Sequence, residues 1–315
     1  MIIDVHPEFG YELACSIPYA YYLHKNNKLE KVVTCKGMKP FYYFCDNVEE
    51  KYENRSIDNN TNGVQNLPNN WIHHNAKAVL GKDMSELPHE EQIKGNGVLD
   101  YRKWTPPPYR EYYANDKFKY DKPFVVVSNR YNFEHGKPPK GFFNIECLYE
   151  IFNYFTEKGY YVVYKRPNNT EFTLDMNEVM ALHNNIGDIN ANVNGIGNIT
   201  DFDLCNHYDG VFLLDDIVRE GGLSYNETQL KLFSNSSGFI SMGGGSGIFC
   251  SYFGVPNITY VTTSGETREN YFNENCYYRK LSGADIYAVI DLEEDIIKRN
   301  SPDYSKLFKH MREIF

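Results

Sequence analysis

The chain has 315 residues, of which 42% are hydrophobic and 16% aromatic, and it carries a formal net charge of −10. This length accommodates one large or two ordinary globular domains. The acidic balance disfavours a nucleic-acid partner, because such partners are bound by basic side chains that release counterions. The sequence has no apolar stretch of about 18 residues, the length of a membrane-spanning helix, and so predicts no transmembrane segment.

The seven cysteines indicate thiols and not a zinc site. No two of them form a CxxC pair, and none groups with histidines at a zinc-binding spacing. Scattered thiols in apolar surroundings are typical of a reducing compartment. The N-terminal stretch Met1–His6 lacks the basic and apolar regions of a signal peptide. We therefore expect a cytoplasmic protein.

The first part of the chain predicts a strand, a helix and a second strand. Met1–Val5 is a short apolar strand, and residues 11–25 place apolar side chains at helical spacing, with Pro18 bending the helix. Lys31–Cys35 is the next strand. Three prolines at 106–108 predict a stiff, extended connection, so we place a domain boundary at residue 120.

The rest of the chain restarts the alternation of strands and helices. The predicted strands are Pro123–Ser128, Tyr160–Tyr164, Gly210–Leu214, Gly238–Met242 and Ile258–Val261. The predicted helices are Asn144–Lys158, Tyr225–Ser234, Ile248–Phe253, Ala284–Lys298 and Asp303–Ile314. Residues 184–200 are rich in Asn and Gly and predict a loop. Repeated βα units indicate an α/β protein: two Rossmann-like domains, 1–120 and 121–315, facing across a cleft.

The most informative motif lies in Phe239–Val261. There a strand leads into Gly243-Gly-Gly-Ser-Gly247, and a short helix and another strand follow. Such a turn presents unpaired N–H groups at a helix N-terminus, and its glycines let phosphate oxygens approach the backbone. The motifs GxGxxG, GxxxxGK[ST] and GxSxG all fail here. We interpret the turn as a diphosphate cradle, with a simple tight turn as the alternative.

Cationic side chains follow two predicted strands, at the edge of the sheet where ligands of α/β proteins bind. Asn129 and Arg130 follow one strand, and Lys165 and Arg166 follow the next. Cations there would stabilise a diphosphate leaving group. The alternative for Arg130 and Arg166 is a simple ion pair with an acidic side chain.

Three groups that could accept a proton follow the first strand, namely His6, Glu8 and Glu12. One of them, placed across the cleft from the glycine turn, would deprotonate a nucleophile. The alternatives are structural. Glu12 could favour the first turn of the helix through the helix dipole, and His6, before a proline, could shape the turn.

These features resemble GT-B glycosyltransferases. In ADP-heptose-type bacterial transferases the first strand leads to Gly-Asp, with Pro six residues after the Asp; here Gly10-Tyr-Glu12 is followed by Pro18. The resemblance implies that Glu12 is the catalytic base, with Glu8 as its competitor. It also implies a donor diphosphate site made of the second-domain turn and the basic groups. These residues are Arg130, Lys165, Arg166, Gly243, Gly244, Gly245, Ser246 and Gly247.

The resemblance further implies the reaction. A nucleotide-sugar donor would transfer its sugar to a glycan or other hydroxyl acceptor, with inversion at the anomeric carbon. Glu227 or Asn129 would contact the donor ribose or base. No metal and no further cofactor are expected, since backbone and basic side chains replace the cation.

Three other readings remain open. A GT-A transferase would bind Mn²⁺ through Asp-x-Asp, and Asp201-Phe-Asp203 matches those letters. Asp215-Asp216 fits a turn at a strand end better than a metal site. A sugar-nucleotide epimerase or pyruvyl transferase can share the predicted architecture. A non-catalytic sugar-nucleotide or glycan-binding module would bind the same ligands without turnover.

Overall fold

The computed structural model describes residues 1–55, 67, 105–131, 139, 141–166, 189–193, 197–262 and 285–315. Trp104 and parts of the predicted loop 184–200, namely 184–188 and 194–196, lie outside these residues. Within them, no helix has both the length and the apolar character needed to cross a membrane.

The first part of the chain forms a three-stranded parallel sheet in the order β1-β2-β3. Its strands are β1 (Ile2–Asp4), β2 (Lys31–Cys35) and β3 (Val48–Tyr52). The first two strands confirm the predictions. The third was not predicted, because its sequence VEEKY is polar and its three central side chains are exposed.

The predicted first helix is present as three consecutive segments. They are α1 (Phe9–Tyr11), a π-helical turn (Glu12–Ser16) and α2 (Ile17–Lys25). Pro18 lies in the first turn of α2, where its missing N–H is tolerated. A 3₁₀ helix (Lys39–Tyr42) leads into β3.

The second sheet has six parallel strands in the order β11-β10-β9-β4-β5-β8. The strands are β4 (Phe124–Ser128), β5 (Tyr161–Lys165), β8 (Val211–Leu213), β9 (Gly238–Met242), β10 (Asn257–Val261) and β11 (Ile286–Ile290). The chain winds outward from β4 to β8, returns to the centre at β9 and winds outward to β11. This is the doubly wound Rossmann order, and its direction reverses between β4 and β9.

Helices flank these strands. They are α3 (Tyr109–Tyr112), α4 (Ile145–Glu157), α5 (Asp201–Cys205), α6 (Leu214–Gly221), α7 (Tyr225–Ser234), α8 (Gly245–Ser251), α9 (Glu293–Arg299) and α10 (Ser305–Ile314). The predictions of α4, α7, α8 and α10 are confirmed to within a few residues.

Two sequence predictions in this part were wrong. The predicted helix Ala284–Lys298 is the strand β11 followed by α9, because the run IYAVI is rich in β-branched and aromatic residues and pairs with β10. The predicted loop at 184–200 contains an antiparallel hairpin of β6 (Asn190–Val193) and β7 (Gly197–Thr200).

The two parts of the chain share one apolar core. Leu13 and Phe41 from the first part belong to the same buried cluster as Phe233 and Phe249 from the second. The Phe41 and Phe249 ring centroids lie 5.2 Å apart. This continuous core shows that the helical segments of the first part pack directly on α7 and α8. The division into domains 1–120 and 121–315 stays a prediction.

The segment after the three prolines is docked and not extended. It forms α3, whose Tyr109 hydroxyl donates to the Phe41 carbonyl at 2.9 Å, and the Tyr113 hydroxyl donates to the Pro40 carbonyl at 2.5 Å. The Ser234 hydroxyl donates to the Tyr109 carbonyl at 3.1 Å. These bonds attach the connection to both parts of the molecule.

Candidate functional site

The glycine turn, Gly243–Gly247, lies at the carboxyl end of β9 and leads directly into α8. The Gly243 N–H donates to the Tyr260 carbonyl at 2.8 Å, which ties the start of the turn to β10. Gly244 has φ +86° and ψ −158°, a region that is essentially restricted to glycine. The sequence therefore forms this turn only because glycine occupies position 244.

The first N–H groups of α8 have no hydrogen-bond acceptor within the part of the chain that the structure describes. The amides of Gly245, Ser246 and Gly247 precede the first i→i−4 bond of the helix, which runs from the Ile248 N–H to the Gly244 carbonyl at 3.1 Å. None of the three donates a hydrogen bond to another described residue. Gly245 and Ser246 are partly exposed, so an anion can reach their amides.

The glycine turn touches the start of α1 from the first part of the chain. A Cβ at Gly245 would lie 3.5 Å from both the Gly10 Cα and the Gly10 nitrogen, and 3.3 Å from Phe9 Cδ1. The backbone at the start of α8 therefore contacts the backbone of α1, and both contact positions, Gly245 and Gly10, are glycines. Consequently the segment that carries His6, Glu8 and Glu12 lies beside the predicted diphosphate cradle.

The end of β4 is organised by Asn129, which is 1% exposed. Its Nδ2 donates to the Phe143 carbonyl and to the Tyr164 hydroxyl, each at 3.0 Å. Its Oδ1 accepts from the N–H groups of Arg130 and Phe143 at 2.9 Å each. The amide is fully used within the protein and fixes the backbone that presents Arg130; its contact with a donor ribose or base stays a prediction.

Arg130 lies at the switch between β4 and β9. Its Nε donates to the Gly141 carbonyl at 3.0 Å, and the side chain is partly exposed. Gly141 has φ +66°, and a Cβ there would meet the Thr262 hydroxyl and, at 3.1 Å, Nη2 of Arg130. The guanidinium is thus held by a backbone carbonyl at the edge of the sheet where a ligand of this fold would bind.

Arg166 is engaged in a buried ion pair with Asp201. Nε and Nη2 donate to the two carboxylate oxygens at 2.5 and 2.9 Å, and both side chains are fully buried. The guanidinium lies 4.3 Å from the Phe202 ring centroid. The Tyr164 hydroxyl also donates to Asp201, at 2.7 Å, and burial followed by the Asp201 charge raises the pKa of Tyr164 well above its usual value. A donor contact by Arg166 stays a prediction.

Lys165 is also buried, with 5% of its surface exposed. Its Nζ lies 5.8 Å from the Phe249 ring centroid and 5.9 Å from that of Phe233. These rings belong to α8 and α7 and lie in the shared core. A donor contact by Lys165 stays a prediction.

The Asp-x-Asp motif has structural partners. Asp201 pairs with Arg166, and Asp203 forms a capping box with Thr200 at the start of α5. Hydrogen bonds from the Thr200 side chain and backbone lower the pKa of the Asp203 carboxyl. Among the described residues, no cluster of three or more His, Cys, Asp or Glu side chains could hold a metal ion. Asp215 and Asp216 lie in the first turn of the helix α6, which follows β8 directly.

Glu12 lies in the π-helical turn and is 0% exposed. Its Oε1 accepts from the Thr34 hydroxyl and, at 2.8 Å, from the Tyr42 hydroxyl, and its Oε2 accepts from Arg55 Nη1 at 2.5 Å. Burial, and then the Glu12 charge, raise the pKa of Tyr42 well above its usual value, so this hydroxyl stays a donor. The carboxylate is therefore enclosed, and a bulky acceptor does not reach it in this conformation.

The other two acid–base candidates are closer to the surface. Glu8 is exposed and occupies the N-cap position of α1. The His6 ring stacks on Tyr52 with centroids 4.2 Å apart, and its buried Nδ1 has no hydrogen-bond partner among the described residues. Glu227 is farther along the chain, in the first turn of α7, where it pairs with Lys231 at 2.9 Å.

Sequence reasoning missed the partners that determine the state of these side chains. Arg55, Thr34 and Tyr42 surround Glu12, and Asp201 holds Arg166. No local signal marks Arg55, which is 43 positions from Glu12 in the chain. Only the three-dimensional packing brings these groups together.

Comparisons with protein-family models and with curated proteins give no match. Among solved structures, the chain is similar to "the crystal structure of the glycosyl transferase family 9 from Veillonella parvula DSM 2008", with 11% identity and a TM-score of 0.46. The match covers 100% of this chain and 89% of that chain.

Proposed function

We propose that this protein is a glycosyltransferase that moves a sugar from a nucleotide-sugar donor to a hydroxyl acceptor. One observation carries the proposal. The glycine turn and Arg130 follow β9 and β4, the two strands between which the winding of the sheet reverses. Ligands of doubly wound sheets bind in the crevice at this point, outside the carboxyl ends of the strands.

The chemistry of this crevice suits a diphosphate. Among the described residues, the amides of Gly245, Ser246 and Gly247 have no hydrogen-bond acceptor, and they lie at the positive end of α8. Arg130 adds a guanidinium after the neighbouring strand β4. When the bond from the sugar to the diphosphate breaks, negative charge develops on the leaving oxygen. Fixed donors stabilise that charge without reorganising, so the proposal requires no metal ion.

We assign the proton transfer to Glu8. The acceptor oxygen forms a bond to the anomeric carbon, the bond from that carbon to the diphosphate breaks, and the proton of the hydroxyl passes to the carboxylate. Attack opposite to the leaving group inverts the anomeric centre. Glu8 is exposed and lies two residues before Gly10, which contacts Gly245, whereas Glu12 is enclosed by its partners.

A thermal-shift screen with ADP, GDP, UDP and CMP tests the proposed donor site. In EDTA, one nucleoside diphosphate at about 100 times its Kd should stabilise the protein by about 2.7 kcal/mol. Its sugar derivative, incubated with an acceptor, should then release that diphosphate. If nucleotides stabilise the chain only with Mn²⁺, or not at all, the proposal is wrong. Binding without turnover would identify a non-catalytic module.

Glu8→Gln and Glu12→Gln separate a catalytic carboxylate from a structural one. We expect Glu8→Gln to lower kcat about 100-fold, because the general base is lost, while the thermal stability stays unchanged. Glu12→Gln should instead destabilise the fold by about 2–3 kcal/mol, because the charged hydrogen bond to the buried Arg55 is lost. Steady-state kinetics and urea unfolding measure the two effects. A stable Glu12→Gln variant with no turnover would return the catalytic role to Glu12.

A further inference from the structure

A large open groove lies between the two parts of the chain, and we call it the tyrosine groove. Its volume is about 910 Å³, and its lining includes Lys36, Lys39, Tyr43, Tyr112, Ser224 and Glu227. Lys36 and Gly37 follow the carboxyl end of β2, and Ser224 is the N-cap of α7 on the opposite side. The Asn226 side chain donates to the Gly37 carbonyl at 2.6 Å and joins the two walls.

An aromatic platform borders this groove. The rings of Tyr43 and Tyr112 stack with centroids 3.6 Å apart and planes 17° from parallel. Tyr112 keeps 56% of its surface exposed. Stacking on Tyr43 and an edge contact with Tyr113, at 4.9 Å between centroids, fix the orientation of the exposed ring. A rigid, amphipathic ring is therefore presented before any ligand binds.

The packing of α3 does not account for Tyr112. Tyr109 and Tyr113 already anchor this helix, since both are buried and their hydroxyls donate to backbone carbonyls of the 3₁₀ helix segment. The hydroxyls of Tyr43 and Tyr112, in contrast, make no hydrogen bond in the described residues. Two phenol groups thus remain available beside the groove.

The charges that line the groove balance. Among the described residues that line it, three lysines (Lys36, Lys39, Lys231) accompany three carboxylates (Asp46, Glu50, Glu227). Lys36 pairs with Glu53 at 2.7 Å and Lys231 pairs with Glu227 at 2.9 Å. A polyanion would need a surplus of free cations, which these pairs do not provide. Balanced charges beside an aromatic face suit a neutral polyhydroxylated ligand, whose hydroxyls bond the charged groups and whose C–H face stacks on the ring.

We propose that the tyrosine groove binds a neutral oligosaccharide and that this oligosaccharide is the acceptor of the transferred sugar. The role as acceptor rests on the proposed function. Tyr112 provides the stacking surface, and the lysine and carboxylate side chains bond the sugar hydroxyls. The described lining comes from the segment between β2 and β3, from α3 and from the start of α7, and it includes no residue of the glycine turn. The groove can therefore bind the glycan without the donor.

Isothermal titration with cellohexaose, maltohexaose, chitohexaose and an oligogalacturonate of the same length tests this proposal. We expect at least one neutral hexasaccharide to bind. Tyr112→Ala should weaken that binding about tenfold, whereas Tyr112→Phe should keep it within about twofold. Tyr120→Ala is the matched control, since Tyr120 is a partly exposed tyrosine outside the groove, and it should bind like the native chain.

Three results would overturn the proposal: no neutral hexasaccharide binds, only the oligogalacturonate binds, or Tyr112→Ala binds as tightly as the native chain. Tyr112 keeps 56% of its surface exposed and its replacement removes only the ring contacts with Tyr43 and Tyr113, so the variant should fold with a melting point lowered by at most about a few degrees. The readout is independent of the donor site. If a hexasaccharide binds and no nucleotide binds, the groove proposal stands and the proposed glycosyltransferase function is wrong. If a nucleotide binds and no hexasaccharide binds, the proposed donor site stands and the groove proposal is wrong.

Discussion

Replacing Asp201 with alanine is expected to lower the free energy of unfolding by about 3–5 kcal/mol. The reason is the partner that remains. Arg166 is fully buried against Asp201, and without the carboxylate its charge has lost its bidentate acceptor in the interior. The Tyr164 hydroxyl loses an acceptor in the same change. Urea unfolding followed by circular dichroism measures the loss.

Asp203→Ala is the control for this prediction. It removes a carboxylate two positions away that is exposed and only caps α5, so we expect a loss of about 1 kcal/mol. The double variant Asp201→Leu with Arg166→Met should recover most of the stability, because neither charge of this pair is then left buried without its partner. Equal effects of Asp201→Ala and Asp203→Ala would contradict the buried pair and reopen the possibility that both bind Mn²⁺.

Gly244→Ala is expected to weaken nucleoside diphosphate binding about 100- to 10,000-fold. The backbone at position 244 has φ +86°, which an alanine adopts only with strain, so the turn must change its shape. The amides of α8 would then lose their alignment, and two lost hydrogen bonds to a charged phosphate are worth about 3–6 kcal/mol together. Titration calorimetry with the diphosphate found in the screen measures the change.

Gly254→Ala is the matched control. Gly254 also has a positive φ, +67°, but it lies between α8 and β10. It therefore precedes the amino end of β10, whereas the glycine turn follows the carboxyl end of β9. The variant should lose stability through the same kind of backbone strain and retain diphosphate affinity. If both variants lose affinity equally, the effect of Gly244 is one of general stability and the turn is not the diphosphate site.

The parts of the fold that the sequence predicts well are those with a local cause. Phe124–Ser128 and Gly238–Met242 are short apolar runs that become the two central strands. Helix α4 begins after Asn144, whose side chain accepts from the Cys147 N–H, and Gly159, with φ +80°, follows its end. Capping residues and buried strands are recognisable from neighbouring positions alone.

The parts that the sequence does not predict depend on distant partners. The apolar run Ile286–Ile290 is compatible with a buried helix or with a strand. Its pairing with β10, which is distant in the chain, makes it a strand. The same limit applies to the site. A basic residue after a strand predicts an anion site, yet Arg166 meets Asp201, 35 positions away in the chain, and Glu12 meets Arg55. Arg130 and the glycine turn, in contrast, lie where the topology predicts.

A crystal structure of the protein with the nucleoside diphosphate that stabilises it most tests the central claim most directly. We predict that the diphosphate lies at the switch between β4 and β9, with phosphate oxygens about 2.7–3.1 Å from the amides of Gly245, Ser246 or Gly247 and with the Arg130 guanidinium in contact. A diphosphate bound elsewhere, or bound through a metal ion on Asp201 and Asp203, would contradict this claim.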